Sequence, residues 1–221
     1  MGIVRRLNSQ AGREPGADAS AHAGEPSAES SEAQLVELAR GGQLNAWTRL
    51  YHEHFERVYQ FVGSMTGDAC ISEDLTQEVF ARAYVALPRF DGRSKLFTWL
   101  CGIATNVVRK HWRYKARRGG QHVPVGPRTL PPSSPERADP ERHEHRRQRA
   151  AALQAALETL PTHYREAFVL VALRELSPTE AATLLGISPG NVSVRVHRAR
   201  ARVRKQLARM GWLPKAPGGA R

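Results

Sequence analysis

Cysteine is nearly absent from this chain: Cys70 and Cys101 are its two, in 221 residues. They stand too far apart for a CxxC pair, and in a reducing compartment no disulfide is expected between them. Long apolar runs are missing too. Nothing approaches the ~20 residues needed to span a bilayer, and the first stretch, MGIVRRLNSQAGREPG, lacks the unbroken apolar core of a secretory signal. The expectation is a cytoplasmic protein. Acidic residues are also scarce relative to basic ones, 21 Asp and Glu against 33 Lys and Arg, for a formal net charge of +12. That excess favours a polyanionic partner, either nucleic acid or an anionic membrane face. There are nine histidines, but most sit in polar, irregular or basic stretches. His143 and His145, two residues apart, fall on different faces of a helix, so no metal site is expected. Nor is there a nucleophile beside a base or a glycine-rich phosphate loop, so the sequence suggests no catalytic residue, no enzyme and no cofactor.

Hydrophobic periodicity organises what remains. Residues 1–30 are rich in Gly, Ala, Ser, Glu and Pro and hold too little apolar surface to offset ordering entropy. They read as a disordered tail. A helical module follows over 31–115. Its first helix, EAQLVELAR, is closed by Gly41-Gly42, and Leu44 to Met65 then places Trp47, Leu50, Phe55, Val58 and Val62 at three- and four-residue steps. After Gly67-Asp68, Ser72 is expected to cap a third helix running to about Leu87, with Leu75, Val79, Ala83 and Leu87 buried. Asp74, Gln77, Glu78 and Arg82 share another face, an acidic patch suited to protein docking or simply to solvent. Pro88 stops that helix, and PRFDGRSK forms a loop with Phe90 at its apolar tip. A fourth helix, about Leu96 to Arg113, turns Phe97, Leu100, Ile103, Ala104 and Val107 inward, and Thr98, Thr105 and Arg109 elsewhere. Its end, RKHWRYKARR, interleaves cations with Trp112 and Tyr114, as suits a phosphate backbone and unpaired bases.

Residues 116–140 read as a flexible linker of Gly, Pro, Ser and charge. A second module spans 141–210, with a flexible tail over 211–221. Its first helix carries Ala151, Leu153, Ala156, Leu157 and Leu160 and ends before Pro161, and an apolar helix runs from Tyr164 to Arg174. Ser177 then caps a helix with Glu180 three residues on, the pattern of a capping box. Gly186 turns the chain, and Ser188 caps a last helix with Pro189 at its first position. Val192, Val196, Ala199, Val203 and Leu207 face inward along it. Two helices joined by such a turn, the second one basic, have the layout of a helix-turn-helix with its recognition helix in the major groove. Ser193, Val194, His197 and Arg198 are the expected base contacts, while Arg195, Arg200 and Arg202 suit phosphates or solvent. The fold class is therefore all-α: two small helical modules on a flexible linker, the second ending in a helix-turn-helix.

At these residues the chain resembles the extracytoplasmic function (ECF) subfamily of the bacterial sigma-70 family. DLTQEVFARAY with RFDGRSKLFTWLCGIATNVVRKHWR is similar to region two of that family. LPTHYREAFVLVALRELSPTEAATLLGISPGNVSVRVHRARARVRKQL is similar to region four. The resemblance implies a factor that binds core RNA polymerase and directs it to promoter DNA. It implies core-polymerase docking by Asp74, Gln77 and Glu78. It implies capture and melting of the minus-ten element by Phe90, Gly92, Arg93, Ser94, Asn106 and Arg109. Reading of the minus-thirty-five element falls to Asn191, Ser193, Val194, Arg195, His197 and Arg198. It further implies an anti-sigma factor as partner, often membrane-bound in this subfamily. Asn191 stands where the family usually has threonine, Val194 where a small polar residue is common, and Lys110 at an often acidic position. These departures bear on the promoter sequence, not on the fold. A stand-alone operator-binding regulator is the competing reading, but it needs neither the acidic docking helix nor the loop bearing Phe90.

Overall fold

The computed structural model describes residues 28–117 and 140–213; the remaining parts of the expected tails and linker lie outside them. Among the described residues the regular structure is helical. Helix α1 (Ala28–Arg40) and helix α2 (Leu44–Thr66) are joined at Gly41-Gly42. There the amides of Gly41, Gly42 and Gln43 donate to carbonyls in the last turn of α1, and Gly42 takes φ +88°, a conformation that favours glycine. Two compact units divide within α2, after Glu53. The first buries Leu35, Val36, Ala39, Trp47 and Leu50, of which Trp47 and Leu50 are positions that the three- and four-residue spacing marks as apolar.

The second unit begins at His54 and runs through the rest of the chain. Helix α3 (Ala69–Ala86) packs directly on helix α4 (Leu96–Arg117), with a 3-10 turn at Leu87–Arg89 between them. Phe61, Val79, Ala83, Leu87, Leu100 and Val107 are at most 1% exposed, and full burial of each large apolar side chain contributes roughly 1.5–3 kcal/mol. The start of α3 differs from the expectation. Its cap is Asp68, whose carboxylate accepts from the Cys70 and Ile71 amides. Ser72 is one turn inside and fully buried, and its hydroxyl meets Thr66 and the Asp68 carbonyl. An ionised carboxylate on extended backbone satisfies the open amides of a helix start, and with that done the serine is free to serve the core. Thr98 and Thr105 also differ: both are buried, and Thr105 donates back to the Cys101 carbonyl at 2.8 Å. Threonine tolerates the core when its hydroxyl is satisfied within its own helix, which polarity alone does not reveal. Helix α4 runs four residues past the expected Arg113, carrying its basic end as regular helix.

Helices α5 (Pro140–Glu158), α6 (Thr162–Phe168), α7 (Pro178–Leu185) and α8 (Pro189–Arg209) follow, and α8 packs against all of the other three. The expected single helix over Tyr164–Arg174 is broken. Its second half, Val169–Leu173, is a π-helical turn in which the Arg174 amide reaches the Val169 carbonyl, and Glu175 then takes φ 58°. Val169 and Leu170 are fully buried. A wider turn re-aims side chains without breaking the element, and no periodicity in five apolar residues distinguishes it from an α-helix. Helices α4 and α7 are in contact, so the α3–α4 pair and the helix-turn-helix belong to one compact unit.

Candidate nucleic-acid interface

The α7–α8 pair is built by its caps. Ser177 Oγ accepts from the Glu180 amide, and the Glu180 carboxylate accepts in return from the Ser177 amide and hydroxyl. These bonds, the hydroxyl's first, hold the Glu180 carboxyl below its usual range. Gly186 ends α7 at φ 69°, ψ 37°, the left-handed cap that lets the chain reverse. Ser188 then accepts from the Asn191 amide to open α8. Val192, Val196, Ala199 and Val203 are buried, which fixes the opposite face of α8 outward. Asn191, Ser193, Val194, His197 and Arg198 are exposed, Val194 at 47%, and Arg195 is half-buried. Ser193 Oγ donates to the Pro189 carbonyl at 3.1 Å, leaving its lone pairs outward. The first three turns of α8 thus present an amide, a hydroxyl, an isopropyl group, an imidazole and a guanidinium. That set matches base edges and a thymine methyl.

Tyr164, in the first turn of α6, is a member of this surface that sequence reasoning missed. Arg198 Nη1 donates to its hydroxyl at 3.4 Å, and the Arg202 guanidinium lies 5.0 Å from its ring centre. The Arg198 bond, aided by the charges of Arg198 and Arg202, lowers the phenol's pKa. Nothing in the spacing points to it, because the pairing joins residues 34 apart in the chain. Tyr164 steadies two long cations on the side of the recognition helix.

The second surface lies on α3, α4 and the loop between them. Asp74 and Gln77 are exposed, and Glu78, half-buried, pairs with Arg82 one turn on. In the loop Gly92 takes φ 71°, and the Asp91 carboxylate accepts from the Arg93 amide and pairs with its guanidinium, both at 3.2 Å. Arg93 is otherwise exposed and Ser94 half-buried. Phe90 is not at an open tip: it is buried at 6% exposure, its ring centre 5.0 Å from that of Trp99. An aromatic beside a bend lowers its free energy by packing on the nearest apolar face, and Trp99, on α4, provides it. Asn106 is exposed one turn before Arg109. Arg109 is drawn away from its companions, donating to both oxygens of Glu166 through Nε at 2.6 Å and Nη2 at 2.7 Å. This bidentate bond raises the Arg109 pKa further above its usual value. Beyond it the end of α4 keeps Lys115 over the Trp112 ring, with Tyr114 half exposed.

Residues 50–118 match the family described as Sigma-70 region 2, and residues 150–203 match Sigma-70, region 4. Among curated proteins, the ECF RNA polymerase sigma factor SigE of Mycolicibacterium smegmatis is 33% identical over 187 residues, 84% of this chain and 71% of the relative. The chain belongs to the ECF sigma factors. SigW of Bacillus subtilis, another ECF sigma factor, is 33% identical over 176 residues, 78% of this chain and 94% of that one. The solved structure of CnrH with the cytosolic domain of CnrY aligns at a TM-score of 0.59 and 27% identity, covering 81% of this chain and 98% of CnrH. RpoE of Bartonella quintana, solved with the anti-sigma factor NepR, aligns at 0.61 and 23% identity over 74% of this chain and 98% of its own; that likeness supports the all-helical fold. In this sigma factor, region two therefore comprises most of α2 with α3 and α4, and region four comprises the second half of α5, α6, α7 and most of α8. No described helix is long and apolar enough to cross a membrane.

Proposed function

We propose that this sigma factor joins core RNA polymerase in the cytoplasm and directs it to promoters through two divided tasks. Region two docks on the polymerase by Asp74, Gln77 and Glu78. It opens and holds the minus-ten element with Phe90, Gly92, Arg93, Ser94, Asn106 and Arg109, while Asn191, Ser193, Val194, Arg195, His197 and Arg198 read the minus-thirty-five element. No residue of its own performs covalent chemistry in this reading. One observation carries it: a single chain holds a region-two match with Asp74 and Gln77 exposed beside a half-buried Glu78, and a region-four match bearing an exposed polar recognition half. Duplex opening without ATP needs unpaired bases to be captured, because each unstacked base costs free energy that a stacking surface returns. The half-buried Trp99, with the Phe90 ring packed on it, lies next to the loop that exposes Gly92 and Arg93. An anti-sigma factor is the further partner in this reading, as NepR is for the RpoE with which it was solved.

The test is reconstitution. With core polymerase the factor should be retained in a pull-down and should yield promoter-specific run-off transcripts; absence of both rejects the sigma reading. Phe90→Leu, which keeps an apolar filler against Trp99, should spare polymerase binding and reduce permanganate reactivity at minus ten. Undiminished strand opening in that variant would remove Phe90 from the capture surface.

A further inference from the structure

The face of region two that meets region four is shaped for close approach. A Cβ built on Gly102 would sit 2.9 Å from Leu184 Cδ2 of α7, with no other atom nearby. One on Gly67 would sit 2.5 Å from Glu158 Oε1 of α5. A methyl group at either place would make the facing side-chain end shift, and a long side chain at Gly102 would press on α7. Polar contacts reinforce these. Arg165 is buried and donates through Nη1 to the Met65 carbonyl at 2.9 Å, while its Nη2 donates to the Glu158 carbonyl. Helices α4 and α7 also touch directly, beside the Glu180 cap. Glu166, 3% exposed, takes both bonds from Arg109.

We infer that regions two and four of this sigma factor clasp one another in the free protein, and that Glu166 holds Arg109 back from DNA until the clasp opens. The inference rests on the proposed minus-ten role of Arg109. A carboxylate buried this deeply requires a cation, and among the described residues Arg109 provides it through two bonds. The same guanidinium cannot hold Glu166 in a bidentate pair and approach a phosphate or base at once. Region four therefore acts as a built-in competitor for a DNA-binding group of region two. A partner that favours the separated form gains affinity when the clasp is weakened, because a ligand meets only the competent fraction of molecules.

Two variants weaken the clasp by unrelated means. Glu166→Gln removes the charge and keeps the shape. Gly102→Leu inserts a wedge at a helical position where leucine is the better helix former, so region two stays folded; circular dichroism of both variants checks this. Labels at A81C and R200C in a C70S background, with Cys101 left unlabelled in the core, report the separation of the regions by electron spin distance measurement. The expected result is a longer or broader distance in both variants. Unlabelled E166Q should also bind a forked minus-ten promoter fragment about tenfold more tightly than the parent, within the range usual for coupled equilibria. Its log–log salt slope should steepen by about 0.7–0.9, the signature of one more cation on the phosphates. An unchanged distance in both variants overturns the clasp. A longer distance with unchanged affinity and slope overturns the withholding of Arg109. Failure of the parent to support transcription with core polymerase would reject the sigma reading instead, and leaves the distance result to decide the clasp on its own.

Discussion

Single side chains here act through what they hold in place. Glu180 serves the helix-turn-helix as half of a capping box, with its carboxyl held below the usual range, first by the Ser177 hydroxyl. A depressed acid contributes stability in full above its ordinary pKa and loses it as pH falls through the folded value. Thermal melts of the parent should therefore show a loss of stability on acidification below about pH 4.5 that is smaller in Glu180→Gln. At neutral pH, Ser177→Ala should lower stability by about 1 kcal/mol, the usual cost of a lost N-cap. Tyr164 holds the Arg198 and Arg202 side chains from α6. Tyr164→Phe should weaken binding to a minus-thirty-five duplex by about threefold, in line with one modest hydrogen bond, with an unchanged melting temperature in calorimetry. Equal affinity in the two proteins would show that the arginines orient themselves.

At the scale of elements, the left-handed glycine between α7 and α8 sets the angle at which the recognition helix leaves its partner. Gly186 has open space around it, so added bulk meets nothing; the constraint is its φ of +69°. Gly186→Ala should cost about 1 kcal/mol or more in chemical denaturation, purely through the backbone. Gly102 shows the opposite case, an ordinary helical conformation with a neighbour's side chain where a Cβ would lie. The π turn at Val169–Leu173 belongs to this scale too. It joins α6, which carries Tyr164 and Glu166, to the loop that leads into α7, and so sets the register between the clasp residues and the helix-turn-helix.

The whole molecule is strongly cationic, and its excess of basic residues does two different things. Exposed arginines late in α8 suit phosphates, whereas Arg198 in its first half suits a base edge. Arg200→Ala should lower holoenzyme affinity about equally across promoter sequences and make the salt slope shallower by nearly one. Arg198→Ala should cost about 1–3 kcal/mol on the matched sequence and relax preference at one base pair. Binding assays on a matched and a mismatched minus-thirty-five duplex, each across a salt series, separate the two. Identical behaviour of the variants would mean that both residues meet only the backbone.

Periodicity, caps and charge belong to the chain locally, and they were legible in it save at the start of α3, where Asp68 and not Ser72 is the cap. The apolar steps of α2, α3 and α8, the Ser177–Glu180 box, the Gly186 turn and the Ser188-Pro189 start are fixed by residues within four or five positions of one another. The motifs of regions two and four could be read for the same reason. Features that depend on neighbours distant in sequence could not. Phe90 left the loop tip for Trp99 on the next helix, and Tyr164 met Arg198 across 34 residues. The pairing of Arg109 with Glu166 spans 57. A surface guanidinium and a helical carboxylate are individually unremarkable in sequence. Only packing that excludes water around the carboxylate makes their meeting decisive, and that exclusion is a property of the folded chain.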